Sequence, residues 1–167
     1  MPVLVRKIER GKWEQNDIRN GAEVSADAIT ICMKTKNNTL SVWEVDNCLT
    51  LDNAVLAMVA ASDTLEAIDI VAFDKAKVME AGLTIVNTPG NTPVTHLIST
   101  HHDIADLTYS GLGLLAKFHV NAFKNAMAIR FTKAQLKKIL VSAIDNGHLI
   151  LGDLKDSIST KLQNREG

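Results

Sequence analysis

The stretch Leu83–Leu107, LTIVNTPGNTPVTHLISTHHDIADL, divides the chain into two kinds of sequence. It opens on a short β-branched run, Leu83–Val86, that suits a strand. It turns hard through Thr88-Pro89-Gly90-Asn91-Thr92-Pro93, and Pro93 suits a first helical turn with Thr92 capping Val94–Ser99. The stretch holds two of the three prolines and three of the five histidines. Polar, chemically capable residues crowd together here as nowhere else in the chain.

Upstream, elements alternate. LSVWEV, Leu40–Val45, has strand periodicity. Thr50 or Asp52 opens a helix to about Ser62, whose apolar face of Ala54, Val55, Met58, Val59 and Ala61 suits close packing on a sheet. AIDIVAF, Ala67–Phe73, reads as a strand, and Asp74–Ala81 as a short helix stopping at Gly82. Strand, helix, strand, helix, strand over about 40–87 is the pattern of βαβ units. Nearer the start, Val3–Ile8 suits a strand, and Trp13 in a polar segment suits a plug that folds a loop onto the core. Residues 25–34 fit a helix or a strand, with Ser25 before Ala26 and Asp27 favouring a helix. Lys36–Thr39 is a turn cluster.

Downstream the pattern is helical. Leu112, Leu115, Ala116, His119, Phe123 and Met127 recur every three or four residues from Ser110. Thr132-Lys133-Ala134-Gln135 is a capping box that opens a helix ending at Asn146-Gly147. A last helix spans about Leu151–Leu162. The expected fold is therefore α+β. A small mixed sheet with a βαβ-like segment at about 40–87 is packed by helices, with a helical C-terminal layer. We expect one domain over 1–162, strand-rich to about 88 and helical from about 93, with a frayed tail at 163–167.

A length of 167 residues accommodates one core. Aromatic residues make up 4%, so that core must be built from Ala, Leu, Ile and Val, and aromatic platforms for stacked bases are disfavoured. The net charge of −1 gives no overall pull toward nucleic acid or an anionic membrane. No run is long and apolar enough to span a bilayer, and the N-terminal residues MPVLVRKIERGKW lack a secretory pattern. Cys32 and Cys48 match no CxxC spacing, which suggests free thiols in a reducing compartment. These features together point to the cytoplasm.

His96, His101, His102, Asp103 and Asp106 are metal-ligand types. In a helix His102 and Asp106 would share a face, with His96 roughly on that side. The zincin spacing is absent, and adjacent histidines point apart on any regular element. No metal is expected; His96, His102 and Asp106 are the residues that would hold one. An acid–base role for a histidine is the metal-free alternative. The turn residues Thr88, Gly90, Asn91 and Thr92 could present N–H groups to a phosphate at the end of a strand. With His96, His102 and Asp103 they form the candidate ligand-binding set.

Gly111-Leu-Gly113-Leu-Leu-Ala116 matches a dinucleotide fingerprint in letters. It lacks the preceding strand and the later acid, so close helix packing is the better account. Ser99 and Ser110 lie near histidines without a G-x-S-x-G elbow. We expect no cofactor.

Charge is segregated. Residues 44–80 carry eight acids against two lysines, and residues 107–144 carry six bases and no acid. A basic face on the 132–146 helix, with Lys133, Lys137 and Lys138, could follow a phosphate backbone, and the two helices from Ser110 resemble a helix-turn-helix in outline. No aromatic is interleaved with the lysines, which argues against nucleic acid. The opposite charges could instead organise a partner surface or a homo-oligomer. The leading expectation is a non-catalytic protein-interaction or regulatory module. The alternatives are a small-ligand or phosphate-binding enzyme with its site at 88–103, and nucleic-acid binding through the basic helix.

Overall fold

Among the described residues six strands form a single sheet in the order β4-β5-β2-β1-β3-β6. They are β1 (Val3–Ile8), β2 (Leu40–Val45), β3 (Ile68–Asp74), β4 (Thr84–Asn87), β5 (His101–Ala105) and β6 (Ala128–Phe131). The helices are α1 (Arg10–Trp13), α2 (Leu51–Ala60), α3 (Lys75–Glu80), α4 (Tyr109–Lys124), α5 (Lys133–Asp145) and α6 (Asp156–Gln163). The computed structural model describes residues 1–163. Gln163 closes α6, and the rest of the expected tail lies outside the described residues.

The fold is α+β. Every ladder is antiparallel, so the sheet is not mixed. The expectation of βαβ units captured direction and missed pairing. β2, β3 and β4 run the same way and are linked by α2 and α3, yet none of them pairs with another. β1 inserts between β2 and β3, and β5 between β2 and β4. The 40–87 segment is thus a split βαβ arrangement whose gaps are filled by strands from the chain's beginning and middle.

Both sheet faces are buried, following the two-residue period of the strands. Val3, Val5, Trp43, Val45, Ile68, Ile70 and Ala72 face α2, α5 and α6. Leu4, Ile8, Leu40, Val42, Val71, Phe73 and Ile104 face α4 and the 13–33 segment. Trp13 is fully buried as a plug in this second core, stacked on His119 of α4 with ring centroids 4.8 Å apart. Residues 28–32 form a helical turn of π type, so the ambiguous segment is helical.

The caps follow local chemistry. Asp74 accepts from the Ala76 and Lys77 N–H groups at the start of α3, and Gly82 ends that stretch with φ +84°. Thr132 and Gln135 form the expected capping box on α5. Gly111 lets α4 lie close, since a Cβ there would stand 3.3 Å from Leu83 and from Leu107. Four elements depart from expectation. Thr95–Thr100 is a 3-10 helix rather than the helix expected over Val94–Ser99, and the expected last helix is a 3-10 turn at Leu151–Asp153 followed by α6 from Asp156. Residues His101–Ala105 are a strand, because they pair with both β2 and β4. Residues Ala128–Phe131 form β6 against β3, which separates α4 from α5 and removes the helix-turn-helix outline.

The β1–β2 ladder ends at Val5↔Trp43, whereas β1–β3 continues to Ile8↔Asp69. Beyond that point Arg6 bridges the gap. Its Nε and Nη2 donate to Cys32 O (3.0 and 2.7 Å) and its Nη1 to Ser41 O (2.6 Å).

Candidate functional site

β4 and β5 gather part of the expected site on one face of the sheet. Asn87↔His102 and Val86↔Asp103 are cross-strand pairs, as are Ser41↔Asp103 and Trp43↔His101 on the other side. Strand alternation puts His101 and Asp103 on one face and His102 on the opposite one.

On the first face a chain of hydrogen bonds forms. Ser41 Oγ donates to Asp103 Oδ1 at 2.9 Å, and Thr88 Oγ1 donates to Asp103 Oδ2 at 3.1 Å. Thr88 Oγ1 is also 2.9 Å from His101 Nδ1. The hydroxyl has one proton to give, so His101 Nδ1 supplies the proton of that second contact. His101 stands edge-on to Trp43 with centroids 5.0 Å apart. Thr88, His101, Asp103 and Ser41 are therefore a connected polar set, although Ser41 gave no sign of this in sequence.

On the second face Glu44 Oε2 takes Lys75 Nζ at 2.7 Å and lies 3.1 Å from His102 Nε2. The other ring nitrogen of His102 is 3.1 Å from Thr100 O, and the Asn87 amide lies 3.4 Å from Nε2. His102 is thus engaged with Glu44, Asn87 and Thr100 rather than with the other candidates.

The remaining candidates scatter. His96 lies against His148, with ring centroids 4.8 Å apart, and not beside His102. Asp106 follows the strand with φ +53°, so the helical spacing that would align it with His102 does not apply. Among the described residues no group of three or more His, Cys, Asp or Glu is placed to hold a metal ion.

The turn spends its donors internally. Thr88 N–H goes to His101 O and Gly90 N–H to Ile98 O, which removes two of the groups a phosphate cradle would need. Gly90 is packed against Trp43 and His101, where a Cβ would stand 2.5 Å from the indole. Thr92 is buried and its Oγ1 accepts from Val94 N–H; Asn91 is exposed. Of the candidate set, then, Thr88 and Asp103 come together, Gly90 packs beside them, and Asn91, Thr92, His96 and His102 are apart.

A second feature was missed in sequence. At the sheet end where β3 finishes, a cleft of about 540 Å³ opens between β3, α4 and the turn before α2. Its floor includes Ala72, Phe73, Phe118, Ala122 and Met127, with polar groups from Asn47, Asp74, Lys77, Asn121 and Asn125 around it. Its rim carries Leu49, which is 94% exposed, and Met1, which is 84% exposed. The cause is local. Asn47 Oδ1 accepts from Leu49 N–H and Thr50 Oγ1 accepts from Asn47 N–H, so the chain makes a 3-10 turn before α2 and Leu49 points outward. The Asn-x-x-Thr pattern at 47–50 was the available signal.

The segregated charges meet within the fold. Arg130 pairs with Asp69 at 3.0 Å, and Lys133 and Lys161 both approach Glu66, at 3.6 and 3.4 Å. The Lys161 hydrogen bond and the two lysine charges pull the Glu66 carboxyl below its usual range. His119, fully buried, is pushed down to about 4, chiefly by its removal from water. Among the described residues no helix is long and apolar enough to cross a membrane.

No family model, curated protein or solved structure matches the chain.

Proposed function

We propose that the protein is a non-catalytic interaction module of the cytoplasm, and that the cleft rimmed by Leu49 is where it holds another protein. The exposure of Leu49 beside an apolar floor carries this reading. A single exposed leucine is ordinary, but one at the lip of a mostly apolar cleft adds to a continuous patch that water solvates poorly. A small molecule in the cleft would leave Leu49 and Met1 uncovered, whereas a protein surface would cover both. The occupant we assign is a second copy of this chain. A protruding leucine next to a hole on the same face allows reciprocal insertion about a two-fold axis. The free thiols of Cys32 and Cys48 agree with a reducing compartment.

The test is light scattering over a wide concentration range, for the native protein and for Leu49→Asp. Dimers that dissociate in the variant are the expected result. A benzophenone placed on exposed Cys48, which lines the same cleft, should join two copies. A native protein that stays monomeric and gives no self-crosslink sinks the assignment. So does a dimer unaffected by Leu49→Asp.

One observation favours a second reading, a small-ligand site at 88–103. It is the connected set of Ser41, Asp103, Thr88 and His101 described above. Those groups mainly satisfy one another, which is the work of a structural clasp, so the interaction module is preferred. Nucleic-acid binding through α5 rests on Lys137 and Lys138 alone, because Lys133 and Arg130 are engaged with acids.

A further inference from the structure

Arg6 raises a problem of charge. Its side chain is half-buried in the gap where β1 and β2 part, and its hydrogen bonds go to two backbone carbonyls. A guanidinium has five N–H donors, and three are used, which leaves two. Among the described residues Arg6 has no carboxylate within ion-pairing distance, and neither have Lys34 and Lys36. A cation withdrawn from water is normally paired.

These groups share one place. A cleft of about 350 Å³ is lined by Arg6, Lys34, Lys36, Asn37, Thr39, Ser41 and Asp103. Lys34 and Lys36 are exposed at its mouth and Arg6 lies deeper. The backbone around it is shaped by Asn37 and Asn38, both left-handed with φ near +54° and +58°. Asp103 is the one acid in the lining, and its two oxygens are taken by Ser41 Oγ and Thr88 Oγ1. Three cations against one carboxylate leave two positive charges to be met.

We propose that this cleft binds a phosphate dianion, either free inorganic phosphate or the terminal group of a small phosphate monoester. The two spare Arg6 donors match two oxygens of one phosphate in the bidentate fork that arginine favours. Lys34 and Lys36 supply point charges at the mouth, and the Asn37 amide supplies a further donor. Burial pulls the Arg6 guanidinium down to about 10, against a smaller opposing effect from Cys32. An anion in the cleft would relieve that cost, so binding should also stabilise the fold. The site is separate from the Leu49 cleft and does not depend on the docking reading.

The test is a titration followed by proton–nitrogen correlation spectra and by thermal melting, at neutral pH and constant ionic strength. Inorganic phosphate, phenyl phosphate and chloride are compared. Saturable shifts at the Arg6 side chain and the 34–39 amides, with a raised melting temperature for phosphate and not chloride, are expected. Tighter binding of phenyl phosphate would mark a monoester as the ligand, and tighter inorganic phosphate the free ion. Lys34→Ala with Lys36→Ala should weaken binding by about tenfold or more. Both lysines are exposed, so that variant should fold whether or not Arg6→Lys does. Equal responses to phosphate and chloride would overturn the proposal, as would unchanged phosphate affinity in the double variant.

Discussion

Trp13 and His119 stack ring on ring, 4.8 Å apart with planes 13° from parallel, and each has one buried nitrogen that finds no partner among the described residues. His119 Nδ1 lies 2.8 Å from Leu115 O and so carries the proton, which leaves Nε2 as the bare nitrogen. The stack joins α1 to α4 and closes the second core, where Phe73 of β3 also meets His119. The arrangement suits a neutral imidazole and penalises a charged one.

Stability should therefore depend on acid. His119 in the fold is pushed down to about 4, mainly by desolvation and further by the nearby Arg6 charge, while its Leu115 bond opposes the shift. Between the unfolded value of about 6.5 and that lower value, the unfolded chain binds the extra proton. The stabilisation is complete above about pH 6.5 and is lost as pH falls toward 4, by about 3 kcal/mol in all. Urea midpoints measured across that window should show the loss, and His119→Phe should flatten it. A midpoint that does not move between neutral pH and 4 in the native protein contradicts this account.

Gly90→Ala should destabilise by about 1–3 kcal/mol, because the added methyl collides with Trp43 and with His101 Cβ, and a packed ring cannot give way cheaply. Thermal melting with near-ultraviolet dichroism of Trp43 reads the effect. A neutral outcome would mean that the 88–93 turn moves freely over the indole.

Asp103→Ala leaves the Ser41 and Thr88 hydroxyls without their acceptor and should cost about 1–2 kcal/mol. The loss should concentrate at the edge, since among the described residues β4 pairs with β5 alone. Amide exchange in Thr84–Asn87 should accelerate far more than in β1 or β3. Uniform acceleration throughout the sheet would show that the clasp is not local to the edge.

Thiol chemistry should separate the cysteines. Cys48 is exposed and should react with an aromatic disulfide at once. Cys32 is buried and accepts the Glu9 N–H at 3.1 Å, so it should react only on unfolding. Two fast thiols in the native protein would show that the 28–33 turn opens readily.

Much of the secondary structure was legible because it depends on neighbours in sequence. The Thr132–Gln135 box, the Asp74–Ala81 helix stopping at Gly82, the β-branched run of Val3–Ile8 and the apolar stripes of α4 and α5 are local signals, and the structure follows them. The site was legible only in part. Thr88 and Asp103 do meet, but through a strand where the histidine-rich run gave no strand pattern. His101–Ala105 is extended because β2 and β4 offer it hydrogen bonds on both sides, and short polar segments yield to such long-range pairing.

The sequence by itself determined the α+β class, the two-faced strands, the capping box of α5 and Trp13 as a core plug. Periodicity and capping act over a few residues, so they can be read without knowing what lies across space. Only the tertiary structure decided that β1 enters between β2 and β3 and makes every ladder antiparallel. It alone placed His96 beside His148, turned Leu49 out to the rim of a cleft, and set Arg6 with Lys34 and Lys36 in a cleft whose one acid, Asp103, is bonded to Ser41 and Thr88. These outcomes depend on which segments meet, and backbone hydrogen bonds and shared burial settle that over distances a local pattern does not encode.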